Sequence, residues 1–326
     1  MSTTPGVPSS PSTSLWTQLR KWASFVRFSH TVFALPFALS SMVVAARENR
    51  GWPGALVFLL IVVAMVSART CAMAFNRIVD RRFDALNPRT ARRHLVTGEV
   101  SLTSAVTLCC LSAGGLIAAA WGLNPVCFWL SPVALAIVCF YSLTKRFTDY
   151  THVWLGIALA IAPLGAWLAV RGKIDFLAPG SDGFSWGALR NGFLVPLTLA
   201  TAVVLWLIGF DIIYATQDYE FDRTHGLHSL VVRWGPKNAL MLAFLAHLLM
   251  WGVLVVFGFL NSFRLAYWLG VVVILGLLVA EHLLARRRDI RSINIAFFKL
   301  NAIISLMFLG VVVVEVVFPW FRLRWY

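Results

Sequence analysis

Nine stretches of the chain run for about 20 residues with almost no charge, and this feature restricts its fold more than any other. They cover residues 29–47, 54–76, 101–121, 125–144, 152–170, 193–214, 238–260, 265–285 and 296–318. A helix of about 20 residues crosses a hydrocarbon core of about 30 Å. Nothing in that core can hydrogen-bond a bare backbone, so each span must close its own hydrogen bonds as a helix. The expected class is all-α: a polytopic membrane protein, a bundle of nine transmembrane helices. Only 13% of the residues are charged, against roughly a quarter in a soluble domain. Asn124, Pro125, Pro236 and Asn261 fall between spans, where breakers belong, while Pro36, Pro132, Pro163 and Pro196 fall inside them. Residues 1–14, MSTTPGVPSSPSTS, are expected to form a disordered tail lacking the charged start and apolar core of a signal peptide. Residues 15–326 are expected to form a single membrane-embedded domain.

The formal charge of +14 does not point to nucleic acid, because the basic residues come in short bursts between apolar runs. With nine spans, nineteen of the 28 Lys and Arg lie on the side of the N-terminus and the even-numbered loops, and eight on the other. That excess predicts a cytoplasmic N-terminus and cytoplasmic even loops. The five cysteines all lie in apolar runs without metal-ligand or disulfide spacing, as packing residues would.

Two stretches break the apolar pattern on that same face. The second span ends in NRIVDRRFDALNPRT (76–90) and the sixth in DIIYATQDYEFDRTHG (211–226). Of the 14 acidic residues, six (Asp80, Asp84, Asp211, Asp218, Glu220 and Asp222) lie here. Asn76, Asp80 and Asp84 are spaced i, i+4, i+8, which on a continuing helix makes one stripe with neighbours about 5–6 Å apart. Asp211, Tyr214, Asp218 and Asp222 follow the same logic. Two facing carboxylate stripes repel unless a cation lies between them. Mg2+ takes oxygen ligands, commonly one or two carboxylates, and keeps its other positions for water and phosphate oxygens. The pair of stripes therefore reads as a diphosphate clamp, with Arg89, Arg93, Lys145, Arg146 and Arg223 in the surrounding loops as phosphate ligands.

These residues also resemble a known family. NRIVDRRFD with NPRTARRHLVTG, YATQDYEFDRTHGLHSL, RFSHTVFALPFAL and YSLTKRFT are similar to the signatures of UbiA-type intramembrane prenyltransferases, across nearly the whole chain. The resemblance implies transfer of a polyprenyl group from a polyprenyl diphosphate to an aromatic acid acceptor, with Mg2+ as cofactor and membrane lipid around the site. By resemblance Asn76, Asp80 and Asp84 form the first metal–diphosphate motif and Asp218 and Asp222 the second. Lys145 and Arg146 match the basic pair that meets the diphosphate, Tyr141 the tyrosine one turn earlier, and Arg27 the arginine used toward the aromatic acid. Asp211, Tyr214, Arg89, Arg93 and Arg223 are further candidates for substrate binding. The chain departs from the pattern at Arg77, where many members carry Asp, and at His94, where many carry Pro.

The implied acceptor is 4-hydroxybenzoate on a ubiquinone route or 1,4-dihydroxy-6-naphthoate on a menaquinone route, in a bacterial inner membrane with the site toward the cytoplasm. A transporter, the rival class, would place ionisable groups along a path at mid-membrane, whereas these crowd one face. The segment 85–99 is expected to be a lid or a short surface helix. His30, His247 and His282 read as isolated structural residues, His225 and His228 as possible diphosphate contacts, and Glu281 and Glu315 as interfacial groups. Arg69, inside the second span, is expected to face the bundle.

Overall fold

A computed structural model describes residues 15–26, 31–175, 191–287 and 289–318. Its helices are α1 (Leu15–Phe25), α2 (Thr31–Ala45), α3 (Ala55–Val79), α4 (Arg81–Leu86), α5 (Leu102–Leu123), α6 (Pro125–Phe140), α7 (Thr151–Arg171), α8 (Leu194–Ala215), α9 (Tyr219–Thr224), α10 (Leu230–Leu260), α11 (Leu265–Ala285), α12 (Ile290–Asn294) and α13 (Asn301–Val317). Among the described residues eight helical segments are long and apolar enough to cross a membrane, and a ninth, Phe33–Ala45 in α2, is shorter. The protein is an integral membrane protein of all-α fold. The expected tail 1–14, and with it Arg27 and His30, lies outside the described residues.

The breakers act where the sequence places them. Asn124 caps α6 by accepting from the Cys127 backbone N–H at 2.9 Å and donates to the Leu168 carbonyl at 2.9 Å. Pro125 follows at the first helical position, where its missing N–H costs nothing. Pro196 likewise stands in the first turn of α8 rather than in its interior. Pro36, Pro132 and Pro163 are inside helices, and the Ser41 hydroxyl ties α2 to the Pro163 carbonyl at 2.6 Å. Pro236 breaks the chain as placed: two helices meet within Leu230–Leu260 at a kink at Gly235, whose φ of 76° and ψ of 157° suit glycine alone.

The bundle is centred on α8. Thirteen of its 22 residues are buried, against five of the 22 in α5, so α8 is the shaft and α5 faces lipid. Trp206 of α8 packs between Phe33, Phe37 and Phe210, and Phe37 stacks on Phe308. Gly156 lets α7 approach α8 so closely that a Cβ there would lie 3.0 Å from the Val204 carbonyl oxygen. Close backbone approach over small residues is the usual way membrane helices pack.

Polar groups inside the bundle differ from expectation. His247 and His282 are not isolated: their Nδ1 and Nε2 atoms are 2.9 Å apart. Glu281 is fully buried rather than interfacial and accepts from Asn301 Nδ2 at 2.8 Å. Asn301 in turn accepts from the Trp206 indole at 2.6 Å. Glu315 is also buried and accepts from the Tyr267 backbone N–H at 3.1 Å. In hydrocarbon an unmatched polar group costs several kcal/mol, so these groups pair with one another instead of reaching for the surface.

Candidate active site

Helices α3, α6 and α8 arrive at one end of the bundle and α7 leaves from it, so the polar residues at their ends meet. α3 stops at Val79, and Asp80 turns the chain into the short α4. The Asp84 N–H still bonds to the Asp80 carbonyl at 2.8 Å, which keeps the two side chains one turn apart across the break. The other stripe is built in the same way, α8 passing through a single 3-10 turn, Thr216–Asp218, into α9. Both stripes thus form without a continuous helix.

They line a cavity of about 270 Å³ together with Asn76, Tyr141, Lys145, Arg146, Arg89 and Arg93. Each of the four motif aspartates is held by a cation. Arg89 grips Asp218 with both arms of its fork, at 2.8 and 2.5 Å, and Asn87 adds a third hydrogen bond at 3.2 Å. Arg93 reaches both oxygens of Asp84 at 2.5 and 2.6 Å. Lys145 lies 3.4 Å from Asp222, and Arg146 lies 3.4 Å from Asp80 while donating to the free Val79 carbonyl at 2.7 Å. Asn76 donates to Asp80 at 2.9 Å. Burial, and then the neighbouring Asp84, push the Asp80 carboxyl above the usual carboxylate range. Burial alone would lower the Arg89 guanidinium, but its hydrogen bonds and charge contact with Asp218 raise it.

The segment 87–99 is a series of turns rather than a helix. Arg89 and Arg93 project from it onto the two aspartate stripes, and Thr90 donates to the Asp84 carbonyl at 3.0 Å. Leu95 anchors it from below, buried with Phe25, Val26 and Met73. Asn87, Arg89, Thr90 and Arg93 of the segment form part of the cavity wall, and the expected surface helix is absent there among the described residues.

Not every candidate is there. Arg223 stands outside the cavity, paired with Glu220 at 3.2 Å and stacked on Tyr219. His225 stacks on Phe221, and His228 pairs with Asp149 at 3.0 Å, so neither lines the cavity. Tyr214 does line it, stacking on Phe297 at 4.3 Å and accepting from Arg89 at 2.8 Å. Asp211 lines it too, with a partner that sequence reasoning missed: the fully buried His152, whose Nδ1 is 2.6 Å from Asp211 Oδ2. The signal was an aspartate inside an apolar run, which requires a partner, but nothing in the sequence says which.

A second cavity of about 360 Å³ lies between α3, α5, α6 and α7 and has an almost wholly apolar lining. Ala34, Arg69, Tyr141 and Leu159 belong to both linings, so the two spaces adjoin at that ring of residues. Arg69 does face the bundle interior, as expected of a charge inside a span.

The UbiA prenyltransferase family matches residues 34–303 of this sequence. The chain belongs to that family. Among its relatives, the 4-hydroxybenzoate octaprenyltransferase of Coxiella burnetii is 29% identical over 265 residues, covering 80% of this chain and 85% of the relative. The apo structure of a UbiA homolog from Aeropyrum pernix K1 superposes with a TM-score of 0.74 at 30% identity, covering 88% of this chain and 98% of that one. A UbiA homolog from Archaeoglobus fulgidus, solved bound to GPP and Mg2+, shares the fold at a TM-score of 0.66 and 21% identity, covering 91% and 99%. The UbiA fold thus accounts for the architecture described above, with its short first span and its polar cavity at one end.

The donors present suit Mg2+, since they are carboxylate and amide oxygens. Among the described residues no three His, Cys, Asp or Glu side chains converge on one point. The aspartates therefore form pairs, each able to give an ion one or two oxygens and leave its other positions to a ligand that brings oxygens of its own.

Proposed function

We propose that this UbiA-family enzyme transfers a polyprenyl group from a polyprenyl diphosphate to a hydroxylated aromatic acid, 4-hydroxybenzoate or a close analogue, in respiratory quinone biosynthesis. One observation carries the reading: a cavity lined by five aspartates and six lysines or arginines adjoins an apolar cavity within the membrane. That pairing suits a substrate with a diphosphate head and a hydrocarbon tail. The relatives named as 4-hydroxybenzoate octaprenyltransferases support the acceptor class. The lysine and arginine excess supports a cytoplasmic site in a bacterial inner membrane, and one membrane domain suffices for the reaction.

Asp80, Asp84, Asp218 and Asp222, with Asn76, would hold Mg2+, which when bound supplies positive charge to the departing diphosphate. The cations now on the aspartates have a second use. When diphosphate enters, Arg89, Arg93, Lys145 and Arg146 can exchange carboxylate for phosphate oxygens, which they bind equally well. They then stabilise charge that grows as the allylic C–O bond breaks and its electron pair leaves with the diphosphate. Tyr141, at the junction of the cavities, and the rings of Phe33, Phe210 and Phe297 line the same space, where aromatic side chains can stabilise the carbon left cationic. They also exclude water, which would capture it. The acceptor ring, activated by its hydroxyl, attacks that carbon and then loses a proton.

The test is a membrane assay with labelled polyprenyl diphosphate and Mg2+, offering 4-hydroxybenzoate and 1,4-dihydroxy-6-naphthoate in parallel. Product from one acid, abolished by EDTA and in Asp80→Ala and Asp218→Ala, is expected. Absence of both product and diphosphate release from folded protein would refute the reading.

A further inference from the structure

We infer that Asp211 is the base that takes the ring proton, and that His152 is the residue that positions it. The inference rests on the prenyl-transfer reading above. Five aspartates line the polar cavity, and Asp211 differs from the other four in two ways. The first is its partner. The motif aspartates are held by Arg89, Arg93, Lys145 and Arg146, whereas Asp211 has no Lys or Arg within ion-pair distance among the described residues. Its one hydrogen bond there is from His152. An ionised carboxylate can only accept, so the imidazole must donate from Nδ1, which leaves Nε2 as the acceptor nitrogen. That Nε2 is buried and has no partner among the described residues, as a neutral imidazole can bear and an imidazolium N–H cannot.

The second difference is depth. Asp211 precedes Asp218 by seven residues on α8, about 10 Å along a helix, and so lies further into the bundle than the diphosphate clamp. On its own helix the lining residues on the inward side are apolar, Leu207 and Phe210, while Tyr214 lies one turn nearer the clamp. Leu159, one of the residues where the polar and apolar cavities adjoin, lies seven residues beyond Asp211's partner His152 on α7, so Asp211 stands between the diphosphate clamp and that junction. The reacting carbon and the ring that attacks it belong at that level.

The chemistry supplies the need. When the new C–C bond forms, the ring carbon carries both the prenyl group and its original hydrogen, and the ring is cationic. Breaking that C–H bond returns its electron pair to the ring and restores aromaticity. The proton requires an acceptor in a space from which water is excluded. A carboxylate gripped by arginine is a poor acceptor, while one that shares a single oxygen with a neutral imidazole keeps the other free. Asp211 therefore becomes a carboxylic acid at this step and passes its proton to solvent when the product leaves.

Four proteins test this: wild type, Asp211→Asn, His152→Leu and His152→Asn. Asparagine at 152 restores an N–H close to where Nδ1 stands, and leucine does not. Each is assayed with the accepted aromatic acid, unlabelled and deuterated at the ring carbon that receives the prenyl group. In wild type the ring isotope effect should be near unity. In Asp211→Asn product formation should fall by about 100-fold, the order general bases contribute, with a primary ring isotope effect and an unchanged KM for the prenyl diphosphate. His152→Leu should show the same signature more weakly, and His152→Asn should reverse most of it. If Asp211→Asn raises the KM for the diphosphate with no isotope effect, Asp211 belongs to the clamp and the inference is wrong. Activity near wild type in Asp211→Asn overturns it as well. Failure of the wild type itself to prenylate either acid would sink the function reading first, and is seen before any variant is made.

Discussion

At the scale of single residues the site is a balance of carboxylates against cations. Arg89 makes two parallel hydrogen bonds to Asp218 and a third to Tyr214. Lysine would keep the charge but lose the fork, so Arg89→Lys should weaken prenyl diphosphate binding by about 10-fold, the worth of one charge-assisted hydrogen bond. A KM measurement checks this, and an unchanged KM would mean that Arg89 only fastens the 87–99 segment to Asp218. Asp80 behaves differently. Its carboxyl sits above the usual range through burial and the nearby Asp84, so the folded metal-free protein holds that proton more tightly than the unfolded chain. Its contribution therefore favours the folded metal-free form in acid and is lost as pH rises through the raised value. Metal binding needs the ionised form, so the Mg2+ concentration for half-maximal activity should rise as pH falls through that value. Titrating Mg2+ from pH 8 down to the lowest pH at which the protein stays folded checks it, and a Mg2+ requirement that does not change anywhere in that range would count against Asp80 as a ligand.

At the scale of elements the helices are fixed by close approach at a few glycines and by polar pairs. A Cβ on Gly209 would fall 2.1 Å from the His247 ring, so Gly209→Ala should push α10 from α8 and strain the His247–His282 pair. The expected loss is about 2–4 kcal/mol, combining overpacking with unsatisfied buried polar groups; thermal denaturation in detergent measures it. Gly235→Ala should cost about 1–3 kcal/mol for backbone reasons alone, because its Cβ would meet nothing. The contrast between these elements explains what was legible in the sequence. The apolar spans are visible because length and hydropathy are local properties. Asp80, Asp84, Asp218 and Asp222 are visible because acids at the end of an apolar run stand out. The pairing of His152 with Asp211, or of Glu281 with Asn301, is not, because partners lie 59 and 20 residues apart. Membrane helices apolar on every side carry no periodicity that tells the inward face from the lipid face. The same silence made Glu281 look interfacial and gave Arg223 a place in the cavity that its own α9 neighbour, Glu220, takes from it.

At the scale of the whole molecule the fold keeps a charged head space and an apolar tail space side by side, and the second should set which donors are accepted. The apolar lining on α7 runs from Ala158 to Ala169. Along it Gly165 lies six residues beyond Leu159, the junction with the polar cavity, and a Cβ there would meet nothing within 4 Å. A helix rises about 9 Å over that distance. Gly165→Phe should therefore fold, since its ring enters open space, yet block the path of a long tail. A donor of two isoprene units ends before the obstruction, whereas one of eight must pass it or turn aside toward lipid. Forcing a tail past an overfilled site costs about 1–3 kcal/mol, so the ratio of kcat/KM for the eight-unit to the two-unit donor should fall by about 5- to 150-fold. The two-unit donor serves as the internal control, because any general damage to the site lowers both values together. An unchanged ratio would place the tail outside the apolar cavity, along the lipid face of the bundle. The shared ring of Ala34, Arg69, Tyr141 and Leu159 would then be a wall between two separate spaces rather than the point where head and tail of one substrate divide.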